Sequence, residues 1–270
     1  MEDRTLEALG FGVVPFERPL SYPGRAVGAP MLLHADRLWP LDVRPGPIGE
    51  WAVTGPGGTA EPLDALLARL GEAGTAERRP VIAVGSNASP AQLRHKLASH
   101  GTGVAVPLVP VRVRGLGVGV SAHIGRAGYV PAAPFPDPGA ERELVVGWFD
   151  AGQLRRVDAT ESRYRRPLLS GTDTPLTLPS GEPLPGAYLY ESRDGVLAGP
   201  DGRPRPGGGD QAALLTALLA ASARLRALLG PDPETWVRRA RAQAAVRAEG
   251  ARILAAEGWR LRPPGLGRAS

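Results

Sequence analysis

Two stretches of this 270-residue chain carry residues able to do chemistry. The first is Gly85-Ser86-Asn87, which separates an apolar run, Val81-Ile-Ala-Val84, from a segment of helical character, Pro90-Ala-Gln-Leu-Arg-His-Lys-Leu97. A glycine turn between a strand end and a helix start gathers free backbone N–H groups at the positive end of a helix dipole. Such a turn can hold a carboxylate or another anion, although a plain connection is the commoner use of the pattern. The second is Glu161, followed closely by Arg163, Tyr164, Arg165 and Arg166. Nearby positive charge favours an ionised carboxylate and burial opposes it. Glu161 therefore reads either as a general acid/base or as one half of a surface salt bridge to one of those arginines.

Other chemistries lack their residues. With no cysteine there is no disulfide, thiolate nucleophile or thiolate metal site. His34, His95, His100 and His123 are scattered, and no spacing puts two ligands on one face, so no metal and no other cofactor is expected. Neither a Gly-x-Ser-x-Gly elbow nor a Gly-Lys-Ser/Thr phosphate loop occurs, which leaves Ser86 as the remaining candidate nucleophile. Gly115, Gly117 and Gly119 alternate with Leu116, Val118 and Val120 and no helix start follows, as expected of glycines on one face of a curved strand. The arginines between Arg224 and Arg252 are interrupted by Glu234 and Glu249 and lack interleaved aromatics. They read as a solvated helix face, and no nucleic-acid partner is expected.

The elements that must position these residues follow from periodicity. Before Gly85 the run Val81–Val84 is a buried strand, and after it Ser89, Pro90 and Gln92 form a helix-start signature. Leu63, Leu66, Leu67 and Leu70 recur at helical spacing, and 151–160 makes a short helix with Leu154 and Val157 inward. Short strands are expected at 11–16, 31–34 and 38–41, the last two joined as a hairpin through Ala35-Asp36-Arg37, and longer ones at 104–120, 128–133, 143–149 and 186–190. Asp210 and Asp232-Pro233 start two C-terminal helices, ended by Gly230 and Gly258. The first presents Leu214, Leu218, Ala221, Leu225 and Leu228 as a stripe, the second Val237, Ala240, Ala244, Ala248 and Ala251. That hairpin is expected to pack on the main body or on a second copy of the chain, giving a homodimer.

Thirty-six glycines and twenty-nine prolines punctuate apolar runs and form no repetitive tract, so many turns are expected in place of disorder. The formal charge is +5, carried almost wholly by arginine, a bias that reads as a GC-rich bacterial genome; Lys96 is the sole lysine. No apolar run reaches the roughly 18 residues of a membrane span and the N-terminus lacks a signal pattern, so a cytoplasmic protein without membrane contact is expected.

Taken in order, Gly85-Ser-Asn87, Ser121, Gly128-Tyr-Val-Pro-Ala-Ala133, Pro136-Asp-Pro-Gly139, Leu144-Val-Val-Gly-Trp-Phe149, Gln153-Leu-Arg-Arg-Val-Asp158, Glu161-Ser-Arg-Tyr164 and Gly186-Ala-Tyr-Leu-Tyr190 resemble the γ-glutamylcyclotransferase-like family over roughly residues 80–191. The resemblance implies an α+β fold: a closed or nearly closed mixed β-barrel with flanking helices over 76–200. Residues 1–75 would be a β-rich N-terminal extension and 201–270 a C-terminal helical hairpin. It implies an enzyme that cyclises a γ-glutamyl amide to 5-oxoproline and releases an amine. Glu161 would be the catalytic acid/base, and Gly85, Ser86, Asn87 and Tyr164 would hold the substrate, with Tyr190 lining the pocket. Val84 stands where the family usually has a tyrosine, which removes a hydroxyl and an aromatic wall from the expected pocket. The alternatives are a non-catalytic small-molecule-binding or interaction protein on the same barrel, and amide hydrolysis in the same pocket.

Overall fold

The computed structural model describes residues 3–55, 58–98 and 103–267. Near the N-terminus the expected hairpin forms: β1 (Met31–His34) turns through Ala35-Asp36 into β2 (Arg37–Asp42), with His34 paired to Arg37. β3 (Ala52–Thr54) and β4 (Ala60–Pro62) extend it antiparallel, and α1 (Leu63–Arg69) buries Leu63, Leu66 and Leu67. Residues 11–16, expected as a strand, form none. They run as an irregular arm whose Phe16 N–H donates to the Gln92 side chain at 2.9 Å. Gln92 is thereby spent on the arm, and of the expected reciprocal cap only a long contact from its N–H to Ser89 Oγ, 3.4 Å, remains.

β5 (Arg79–Ala83) leads through a 3₁₀ turn at Ser86–Ala88 into α2 (Pro90–Ala98), followed by the long strands β6 (Ala105–Val120) and β7 (Ala132–Phe149) and by α3 (Ala151–Thr160). β6 and β7 pair antiparallel over most of their length, with one register shift between Arg114 and Leu116, where Gly115 takes a positive φ of 79°. β7 joins two segments that the sequence separates. Pro134 and Pro136 stand two residues apart and lack donors toward the same edge, so pairing to β6 continues on the other, while Pro138 falls in the stretch 137–140 that the register shift leaves without β6 partners. α3 begins with a complete capping box: Asp150 Oδ1 accepts from the Gln153 N–H at 2.9 Å, and Gln153 Oε1 accepts from the Asp150 N–H at 3.2 Å.

The chain continues through β8 (Tyr164–Arg165), β9 (Leu168–Ser170), β10 (Leu176–Thr177), β11 (Gly186–Leu189), β12 (Glu191–Ser192) and β13 (Val196–Leu197). It ends with α4 (Gln211–Ala221), α5 (Ala223–Leu229), α6 (Pro233–Ala242), α7 (Ala244–Ala256) and β14 (Arg260–Leu261). The main sheet runs β4-β3-β2-β1-β6-β7-β5-β11-β9, with β10 also on β6 and only the β5–β11 pair parallel. It is a large mixed sheet with flanking helices and it does not close into the expected barrel. The outer edge of β6 that closure would use is taken by β1, and the N-terminal hairpin carries the sheet outward from there.

Period two divides the core. Ile82, Val109, Val146 and Leu189 bury one face of the sheet with Trp51. Val81, Leu108, Val145 and Tyr190 bury the other against Leu93 and Leu97 of α2. A third cluster joins Val120 and Ile124 to the C-terminal helices, where fully buried Trp236 donates its indole N–H to Gly128 O at 3.0 Å.

The two expected C-terminal helices are four. Ser222 caps α5 by accepting from the Leu225 N–H at 3.0 Å, bending the chain by 120° after α4, and Gln243 breaks α6 from α7. The bend moves the buried stripe to Leu215, Leu218, Leu219, Leu225 and Leu229, and leaves Leu214 and Leu228 at its margin. Among the described residues no single helix is long and apolar enough to cross a membrane.

Candidate active site

Pro80 to Ala83 are held in the sheet by β7 on one side and, at Val81 and Ile82, by β11 on the other. The turn at Gly85–Ala88 is thus delivered from a rigid strand end. Ala88 N–H bonds to Gly85 O and Ser89 N–H to Ser86 O, which leaves the N–H groups of Gly85 and Asn87 outside any backbone hydrogen bond among the described residues. Glu161 arrives from the other direction as the residue that ends α3, its N–H bonded to Asp158 O. The two meet: Asn87 Nδ2 donates to Glu161 Oε1 at 3.1 Å.

Lys96, in the second turn of α2, closes the group. Its Nζ lies 2.8 Å from Glu161 Oε1 and 2.8 Å from Asn87 Oδ1, with the Lys96 and Glu161 side chains only 9% and 15% exposed. Glu161 Oε2 has no protein partner among the described residues and is not enclosed, so the carboxylate is fixed through one oxygen and open through the other. The sequence offered Arg163, Arg165 and Arg166 as partners for Glu161, and all three go elsewhere. Arg163 Nε donates to Asp194 at 2.7 Å, Arg165 pairs with Glu191, and Arg166 Nε donates to Asp158 at 2.8 Å.

Glu161 and the Gly85–Asn87 loop line one cavity of about 750 Å³. Tyr164 and Tyr190 line it as well. The Tyr164 hydroxyl donates to Ala132 O at 3.2 Å, and burial, with the Tyr22 phenol and the Glu161 carboxylate adding, holds its pKa well above the usual phenol value. Tyr190 donates to Asp158 Oδ1 at 2.7 Å. Its pKa is also raised, first by burial and then by that bond. Burial works to raise the Asp158 pKa, but hydrogen bonds from Arg166 and Tyr190 outweigh it and hold the carboxyl below its ordinary value. Among the described residues no imidazole hydrogen-bonds to the Ser86 hydroxyl, so the arrangement lacks the base a serine nucleophile requires.

Three further residues line the site that the sequence pattern does not assign to it. Tyr22, from the N-terminal arm, and Tyr129, from the loop between β6 and β7, stack with ring centroids 4.3 Å apart on the cavity wall. Burial pushes the Tyr129 phenol up to about 12. His123 is buried on the same wall, edge-on to Tyr164, with Nδ1 2.7 Å from Ser121 Oγ, and burial lowers its pKa to about 4. Lys96 could have been found, since it is the only lysine and lies within the loop-helix stretch. Of the other histidines His95 also lines the cavity, stacked on Phe16, while His100 falls outside the described residues. Among the described residues no group of three or more metal-ligating side chains forms.

Charge sets the ligand class. Lys96, Arg126, Arg156, Arg163 and Arg247 line the cavity against the single carboxylate of Glu161, a field that favours anionic ligands.

No family model matches the chain, and no curated protein sequence does. Among solved structures, one titled "Gamma-glutamyl cyclotransferase" is 16% identical, with 43% of this chain and 67% of that chain covered and a TM-score of 0.34. An uncharacterised protein from Homo sapiens is 15% identical, with the same coverages and a TM-score of 0.31. A protein from Arabidopsis thaliana solved in solution is 14% identical over 56% of this chain and 91% of that one, with a TM-score of 0.32. These are partial backbone likenesses and say nothing of activity.

Proposed function

We propose that this chain is a γ-glutamylcyclotransferase-like enzyme that converts a γ-glutamyl amide to 5-oxoproline and a free amine. The observation that carries the reading is the Glu161 carboxylate, held by Asn87 through one oxygen and open through the other, in the same cavity as the Gly85–Asn87 donors. In the reaction the α-ammonium of the glutamyl group loses a proton to Glu161 Oε2. The resulting amine attacks the γ-carbonyl carbon, forming the ring C–N bond and a tetrahedral oxyanion. Glu161 then returns the proton to the departing nitrogen as the oxyanion re-forms the carbonyl and the old amide C–N bond breaks, and the second proton of the ring nitrogen leaves through the same carboxylate to the released amine, giving the lactam N–H. The nucleophile is tethered, so one positioned carboxylate serves as base and then acid.

The open N–H groups of Gly85 and Asn87 supply donors for the substrate carboxylate and the developing oxyanion, and the cationic wall attracts the substrate. In this reading Lys96 and Asn87 aim the carboxylate, and Tyr164 and Tyr190 wall the glutamyl group. Incubation with a panel of γ-glutamyl amines and peptides, with 5-oxoproline followed by mass, is the test. Wild-type protein is expected to release it and Glu161→Gln is not; normal turnover by Glu161→Gln overturns the mechanism.

A second reading, a binding protein without turnover, draws on the same ion pair: a Lys96 ammonium 2.8 Å from Oε1 also suits a carboxylate that only orders the pocket. Binding of γ-glutamyl amines without 5-oxoproline release would favour it.

A further inference from the structure

The turn at Gly85 lacks a phenol of its own, and Tyr22 brings one to it from more than sixty residues away. A β-carbon built on Gly85 would lie 2.3 Å from Tyr22 Oη, so the phenol oxygen occupies the space that a side chain at Gly85 would need. The Ala132 N–H donates to that oxygen at 2.7 Å. The ring is buried and fixed by its stack on Tyr129. That backbone donor takes a lone pair of the oxygen, and the phenol proton finds no acceptor among the described residues, although the residue lines the same cavity as Glu161. A buried donor held from behind and left unspent is matched by a ligand oxygen bearing negative charge.

We propose that Tyr22 is a catalytic residue supplied by the N-terminal arm, its O–H donating to the γ-carbonyl oxygen of the substrate as that oxygen becomes an oxyanion. The inference rests on the cyclotransfer reading above. It makes the Ala132 N–H act at second hand: that donor is committed to Tyr22, and Tyr22 passes the polarisation on to the ligand. No bond of the phenol to its proton need break; the donated hydrogen bond strengthens as the carbonyl oxygen gains charge and relaxes when the carbonyl re-forms. It also gives the arm a role in the site, since the arm is tied to α2 through Phe16 and Gln92 and to α6 through the Arg241 guanidinium on Glu17 O at 3.4 Å.

The test is steady-state release of 5-oxoproline by wild type, Tyr22→Phe and protein carrying 3-fluorotyrosine at position 22, each with its melting temperature. Tyr22→Phe keeps the ring and its stack, and its kcat is expected to fall on the order of 100-fold with KM nearly unchanged. Fluorotyrosine keeps the oxygen for Ala132 while making the phenol a stronger acid. A change in its kcat at an unchanged melting temperature supports the proposal and decides the matter if Tyr22→Phe folds poorly. Wild-type kcat in both variants overturns the role of Tyr22 and leaves Glu161 standing. If wild type releases no 5-oxoproline from any substrate in the panel, the cyclotransfer reading falls and Tyr22 falls with it.

Discussion

Acidification should destabilise this protein through His123, by an amount that follows from its surroundings. The ring is buried, with Nδ1 against Ser121 Oγ at 2.7 Å and the Asp194 carboxylate farther off at 3.7 Å. Desolvation dominates: Asp194 and Glu161 favour a protonated ring, Arg163 and Arg260 oppose it, and the pKa falls to about 4 from an ordinary 6.5. Above pH 6.5 the imidazole is neutral folded or unfolded. Between 6.5 and 4 only the unfolded chain binds the proton, so stability is lost as pH falls through that window. The full window is worth about 3 kcal/mol, and the interval from pH 7 to pH 5 about 2 kcal/mol, or roughly 5 °C in melting temperature for a chain of this size. Urea denaturation of wild type and His123→Gln at the two pH values isolates this contribution, because other titrating groups act on both proteins. The variant should lose about 2 kcal/mol less than wild type on acidification. Equal losses would refute the argument. A wild type that gains stability relative to the variant at pH 5 would show a charged imidazolium paired with Asp194, with desolvation the weaker effect.

Two further substitutions probe the loop. Lys96→Met removes the cation from a pair whose side chains are 9% and 15% exposed, leaving the Glu161 carboxylate with only Asn87. The expected cost is about 3 kcal/mol in urea denaturation together with loss of 5-oxoproline release, and an unchanged denaturation midpoint would mean that solvent screens the pair. Gly85→Ala places a β-carbon 2.3 Å from Tyr22 Oη. Displacing a stacked, buried ring should cost about 1–3 kcal/mol, so an unaltered midpoint would mean that Tyr22 moves freely.

Local physics made much of the fold legible in the sequence. Asp150 and Gln153 sit three residues apart and make the capping box of α3, Asp210 and Asp232 cap α4 and α6, and the β1–β2 hairpin needs only the short Ala35-Asp36 link. Alternation likewise placed Val81 and Ile82 on opposite faces of the sheet. Sheet closure was not legible, because it turns on whether a distant hairpin takes the edge of β6. The merger of two strands into β7 was not legible either, since prolines that read as breakers prove harmless when the edge they face is not used for pairing.

At the site the sequence by itself supplied Gly85-Ser86-Asn87 at a strand end and a lone glutamate after α3. Only the tertiary structure decided the partners. Arg163, Arg165 and Arg166 are the near neighbours of Glu161, yet β8 and the residues on either side of it carry them toward Asp194, Glu191 and Asp158. Lys96 reaches Glu161 from 65 positions away. Tyr22 fills the space left by Gly85 because the arm is pinned across α2. Capping and alternation act over a few residues and leave a pattern in the chain. An ion pair or a hydroxyl in a cavity depends on which surfaces pack together, and that is settled by burial across the whole molecule.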